Sequence, residues 1–162
     1  MKHSILLGSI GLMLTTAATA AGLPRQGNDA YTTDYIVHSA RPLKLADRTA
    51  SLVEFSGVSR NDKGSGMFHR LGVRCVGLHE SGSPQAVSRG ACTETDADGD
   101  QMFSTYESRI ADGKPIVTHV FVGGTGKYAG MTGRADYSVV PVKSSDGMAM
   151  FSVPHRASWK LP

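Results

Sequence analysis

From residue 32 onward, apolar and polar positions follow the two-residue period of β-strands, and turn-forming residues break the pattern at short intervals. Segments of alternating or β-branched character fall at 32–38, 50–60, 68–77, 88–94, 101–110, 116–122, 133–142 and 148–160, with Gly, Asn, Asp, Ser and Pro between them. In the third, His69, Leu71, Val73 and Cys75 share one face while Arg70, Gly72 and Arg74 share the other, the signature of a strand with one wet side. Pro154 marks a point where the last strand is expected to break. No long stretch carries a 3.6-residue apolar stripe, so little helix is expected beyond a turn after Gly126. Seven or eight strands at this spacing fit an all-β sandwich or a closed antiparallel barrel, and closure has the merit of leaving no free edge.

Residues 1–20 depart from this pattern. Lys2 and His3 precede an apolar run at 5–14, and Ala18, Thr19 and Ala20 form a small-residue cleavage site, so the segment reads as a secretory signal. The run is too short for the roughly 20 residues of a spanning helix, and no membrane span is expected. The mature chain is expected to be periplasmic or secreted, with a mobile leader at 21–31 and one β-domain at 32–162. The 162-residue sequence has 17 basic and 14 acidic residues, and loss of Lys2 leaves 16 against 14, a net charge of +2. These charges are scattered, which argues against nucleic acid as a partner. Cys75 and Cys92, the two cysteines, lie symmetrically about Ser83 and Pro84 in a turn-rich stretch. A hairpin there sets them opposite each other, and a structural disulfide is expected in an oxidising compartment.

The string Gly123-Gly124-Thr125-Gly126-Lys127-Tyr128-Ala129-Gly130-Met131-Thr132-Gly133 invites comparison with a phosphate-binding loop. The spacing fails, since G-x-x-x-x-G-K-[ST] needs glycine at Phe121 and Ser or Thr at Tyr128, and a strand rather than a helix follows. The string instead resembles the GGTG-x-[FY]-x-G-x-x-G signature of the allene oxide cyclase-like and dirigent-like barrel proteins. Cys75 in Arg-Cys-Val-Gly, and Cys92 ahead of Asp96-Ala97-Asp98-Gly99-Asp100, resemble exported bacterial members of that group. The resemblance spans about residues 50–142. It implies an eight-stranded antiparallel barrel of calycin type, a cavity for a small apolar or phenolic molecule, and relatives that include dimers and trimers. Gly123, Gly124, Thr125, Gly126, Tyr128, Gly130 and Gly133 are then a turn and a packing element, and no active site is carried across.

Asp96, Asp98 and Asp100 alternate around Gly99 as in a calcium loop, but position 12 falls on Thr105 in place of a bidentate Glu. A solvated Asp-Gly hairpin turn accounts for the same residues. His38, His69, His79, His119 and His155 show no metal-binding spacing. His119 lies in phase with Val117 and Phe121, as either a satisfied core histidine or a cavity acid or base. Tyr106 and Glu107 on the preceding strand are its candidate companions at a ligand site, with surface pairing of Glu107 and Arg109 the alternative. No cofactor is called for. Three functions remain: an interior that binds a small hydrophobic or aromatic molecule, an enzyme of cyclase or stereochemistry-guiding type that templates its substrate, or a filled barrel acting through its surface.

Overall fold

The computed structural model describes residues 23–84, 86–111 and 114–162. The expected signal at 1–20 and the first two residues of the expected leader lie outside them. Nine strands follow in order: β1 (Gln26–Lys44), β2 (Thr49–Asn61), β3 (Gly72–Ser81), β4 (Val87–Thr95), β5 (Gln101–Ala111), β6 (Lys114–Gly124), β7 (Thr132–Tyr137), β8 (Val140–Val142) and β9 (Met150–Lys160). Each pairs antiparallel with its neighbour in the order β1-β2-β3-β4-β5-β6-β7-β9-β8, and a β1–β9 ladder closes the ring. The result is a closed eight-stranded all-β barrel with β8 as an extra strand, and among the described residues the helix is one 3₁₀ turn at Gly126–Tyr128. Among the described residues no helix is long and apolar enough to cross a membrane.

Strand boundaries differ from the sequence pattern at several places, among them β1, which runs on to Lys44, and β3, which runs on to Ser81, and three of the differences have a visible cause. The first strand begins at Gln26, so 26–31 of the expected mobile leader pair with β9 from Gln26↔Lys160 onward. Their polar pattern hides this, because the carboxylate of Asp29 finds its partners far away: it accepts from Trp159 Nε1 at 2.8 Å, Asn61 Nδ2 at 3.1 Å and Lys63 Nζ at 2.8 Å. The third strand begins at Gly72 and not at 68, because Phe68 and Arg70 take left-handed backbone angles, φ 62° and 59°. The expected 133–142 strand is two, β7 and β8, interrupted at Ser138 and Val139. That interruption explains why β9 runs unbroken through Pro154. The Pro154 carbonyl accepts from Ser138 N at 3.3 Å, so the side of Pro154 that lacks an N–H faces the gap in the neighbouring ladder.

The interior divides into a filled half and an open half. At one end the β2–β3 link folds inward and drives Met67, Phe68 and Leu71 against Phe121, Tyr128, Met131 and Trp159. Buried polar anchors hold it: Ser59 Oγ donates to the Phe68 carbonyl at 2.8 Å and Asn61 Nδ2 to that of Met67 at 2.7 Å. The glycine-rich turn closes the same end. Thr125 N donates to the Gln101 carbonyl at 2.7 Å, while Gln101 N donates to Thr125 Oγ1 at 2.9 Å. Gly126, at φ 48°, passes directly over the Asp100 carboxylate, where a side chain would collide with it.

Candidate functional site: the open half of the barrel

The opposite end is open, and a cavity of about 440 Å³ runs into the barrel from it. Its walls follow from strand alternation. Tyr35 on β1, Phe55 on β2 and Phe151 on β9 point inward and pack as an aromatic cluster, with ring centroids 5.0–5.4 Å apart. Cys75 and Cys92 are register partners on β3 and β4, and they form the expected disulfide with Cα atoms 4.1 Å apart. Both sulfurs belong to the cavity wall.

Tyr106 forms another stretch of wall. Gly77 and Gly90 are cross-strand partners, and Gly90 is also the register partner of Tyr106. The ring lies on this glycine pair so closely that a Cβ at Gly90 would stand 2.6 Å from Tyr106 Cζ. The phenol oxygen and His79 Nε2 share a hydrogen bond of 3.0 Å at the cavity wall. Burial raises the Tyr106 phenol well above its ordinary value and lowers the His79 imidazole, so both stay neutral at physiological pH.

The floor is polar and buried. His119 on β6 and His155 on β9 reach it with ring centroids 5.3 Å apart, and each is about 5% exposed. Tyr31 stacks on His155 at 4.3 Å and, on its other face, on Phe68 of the plug at 4.3 Å. Directly beneath is Glu94, whose Oε1 accepts from Ser104 Oγ at 3.3 Å and stands 3.8 Å from His119 Nε2. Burial pushes the Glu94 carboxyl up to about 7, His119 down to about 4, and His155, with His119 as a second cause, down to about 3. Between about pH 4 and pH 7 the contact between Glu94 and His119 therefore joins a carboxylic acid to a neutral imidazole and is not an ion pair. His119 Nε2, His155 Nδ1 and the Tyr31 hydroxyl are buried and have no hydrogen-bond partner. Such groups are costly to leave unpaired, and they lie beneath the cavity surface, with His119 Nε2 turned towards Glu94.

His119 and Tyr106 both line the cavity. Glu107 does not. Alternation on β5 turns it outward, where it is half exposed and stands 3.7 Å from Arg109 Nε, so the surface-pair alternative holds. Asp96, Asp98 and Asp100 form the β4–β5 turn, with Asp96 Oδ1 accepting from Asp98 N at 2.9 Å and Asp100 N at 3.1 Å. The Lys127 ammonium sits between Asp96 and Asp98, at 2.7 and 2.6 Å, the place a cation would take. Among the described residues no group of three or more His, Cys, Asp or Glu is arranged to hold a metal ion. The sequence reading missed Glu94, His155 and Tyr31. Glu94 lies two residues from the inward-facing Cys92, and His155 alternates in phase with Val153, Ala157 and Trp159, so phase carried the signal for both.

The chain is thus an antiparallel eight-stranded barrel, filled at one end and open at the other. The solved structure of the pterocarpan synthase dirigent protein GePTS1 matches it with a TM-score of 0.50 at 13% sequence identity, over 93% of this chain and 98% of that one. At that identity the likeness is one of fold. No family model matches the sequence, and no curated protein does.

Proposed function

We propose that the open half of the barrel binds one small, largely aromatic or apolar molecule, which presents an uncharged hydroxyl or carbonyl group to the floor. One observation carries this reading: a cavity of about 440 Å³, walled by Tyr35, Phe55, Phe151 and Tyr106, has the imidazoles of His119 and His155 in its lining. That combination of an apolar wall and a few convergent polar groups is the usual character of a small-molecule site. The neutral histidines in the lining offer no fixed charge to a carboxylate or an amine, which favours a neutral ligand. The protein works outside the cytoplasm, a reading supported by the residue 1–20 signal pattern and the Cys75–Cys92 disulfide.

A second reading, substrate templating with proton transfer, is favoured by the contact between Glu94 and His119. An acid held near pH 7 beneath a cavity is matched to general acid work. The binding reading is tested by titrating the protein with N-phenyl-1-naphthylamine, a neutral aromatic probe whose fluorescence rises in apolar surroundings. Saturable binding of one probe per chain is expected, and it is lost in Ser88→Trp, which fills the cavity from a wall position near the mouth. Absence of saturable binding, or equal binding by the variant with its fold intact, overturns the proposal.

A further inference from the structure

The lining of the cavity is two-sided. In the closed ring β1-β2-β3-β4-β5-β6-β7-β9, β1 stands across the barrel from β5. The adjoining strands β9, β1 and β2 contribute Tyr35, Val37, Val53, Phe55, Phe151 and Val153 to the lining. The Tyr35 hydroxyl pairs with the Thr33 side chain, so these six residues offer the cavity hydrocarbon and ring surface.

The facing wall makes hydrogen bonds. His79 is the register partner of Ser88, and Ser88 of Ser108, so one inward row of polar side chains crosses β3, β4 and β5 near the mouth. In the next row down, Gly77 and Gly90 carry no side chains, and the Tyr106 ring lies across them with its hydroxyl bonded to His79 Nε2 at 3.0 Å. Ser108 is engaged by the Tyr137 hydroxyl. Ser88 lines the cavity, and its hydroxyl has no hydrogen-bond partner among the described residues. The bond between Tyr106 and His79 uses one proton, whichever tautomer His79 adopts. A phenol that donates to His79 can still accept, and one that accepts can still donate. Ser88 can do both, so a hydroxyl group on a ligand suits either position. The Cys75–Cys92 disulfide follows two residues deeper than the glycine pair on the same strands.

We propose that Ser88 and the His79–Tyr106 pair set the selectivity of the cavity, which takes a ring system with hydroxyl groups along one edge, held against β3, β4 and β5, and a bare hydrocarbon edge against β9, β1 and β2. The proposal rests on the reading that the open half binds a small molecule, and it adds which edge of that molecule is polar. Two isomers of one formula test it. The hydroxyls of 2,7-dihydroxynaphthalene lie on the same long edge, and those of 2,6-dihydroxynaphthalene on opposite long edges. Each isomer is titrated against N-phenyl-1-naphthylamine bound to the full chain. The 2,7 isomer is expected to displace the probe about tenfold more tightly, because the 2,6 isomer turns one hydroxyl to the apolar wall and loses a hydrogen bond there. The ratio is expected to fall towards one in Ser88→Ala and in His79→Leu, each with an unchanged circular dichroism spectrum, and a fall in either one supports the assignment. Ser88→Ala removes a single oxygen, so it keeps the test open if His79→Leu fails to fold. A ratio of one or below in the parent, no displacement by either isomer, or a ratio that no folded variant lowers overturns the proposal and leaves the cavity reading standing. Absence of saturable N-phenyl-1-naphthylamine binding overturns both.

Discussion

Glu94→Gln isolates the polar floor. In the folded chain burial raises the Glu94 carboxyl from an ordinary 4.5 to about 7. The fold therefore favours the protonated acid, and this stabilisation is fully present below pH 4.5 and lost as the pH rises through about 7. At about 1.4 kcal/mol per pH unit, the gap between the two values amounts to roughly 3 kcal/mol. His119 and His155 act in the opposite sense. Burial holds them at about 4 and about 3 against an ordinary 6.5, so their stabilisation is present above pH 6.5 and is lost as the pH falls through those values. Both histidines remain in Glu94→Gln, and burial, not Glu94, is the cause of the His119 shift, so their contribution drops out of the difference between parent and variant. Guanidinium unfolding of both proteins, disulfide intact, from pH 4 to pH 8.5 reads that difference. Relative to the variant, the parent is expected to lose about 3 kcal/mol across this range, with the change centred between pH 4.5 and 7. Parallel stability curves would mean that the carboxyl is not buried as an acid, and the description of the floor would be wrong.

Replacing Cys75 and Cys92 together with Ala is expected to lower stability by about 3 kcal/mol, since the bond closes a loop with a sequence separation of 17. An unchanged urea midpoint in the oxidised parent and the variant would contradict it. Gly90→Ala places a methyl 2.3 Å from the Val76 carbonyl oxygen and 2.6 Å from Tyr106 Cζ, so the β3–β4 backbone and the ring must both give way. A cost of about 1–3 kcal/mol in chemical unfolding is expected, together with weaker N-phenyl-1-naphthylamine binding, and a variant with parental stability and affinity would refute the bed described for Tyr106.

Strand phase made much of this architecture legible. Alternation grouped His119 with Val117 and Phe121, and Tyr106 with Ser104 and Ser108, without choosing which face is the interior, and the symmetry of Cys75 and Cys92 about their turn pointed to the hairpin and its bond. The same phase places Glu107 outside, where chemical type had made it a candidate. What local pattern could not carry were features whose cause lies across the barrel. Asp29 is tolerated in β1 because Trp159, Asn61 and Lys63 converge on it, and Pro154 in β9 because the adjoining strand breaks at Ser138. The left-handed turns at Phe68 and Arg70 follow from the inward fold of the plug, which Ser59 and Asn61 secure. The acid beneath the cavity is likewise a property of the closed ring, since Glu94 meets Ser104 and His119 only when β4, β5 and β6 are in register.

The most direct measurement is native mass spectrometry of the protein recovered from its own host, alongside Ser88→Trp recovered in the same way. Binding of a small molecule in the open half of the barrel predicts a parent that carries one discrete small-molecule adduct per chain and a variant that carries none. A parent at its bare mass, or an adduct that the filled variant retains, would contradict the account.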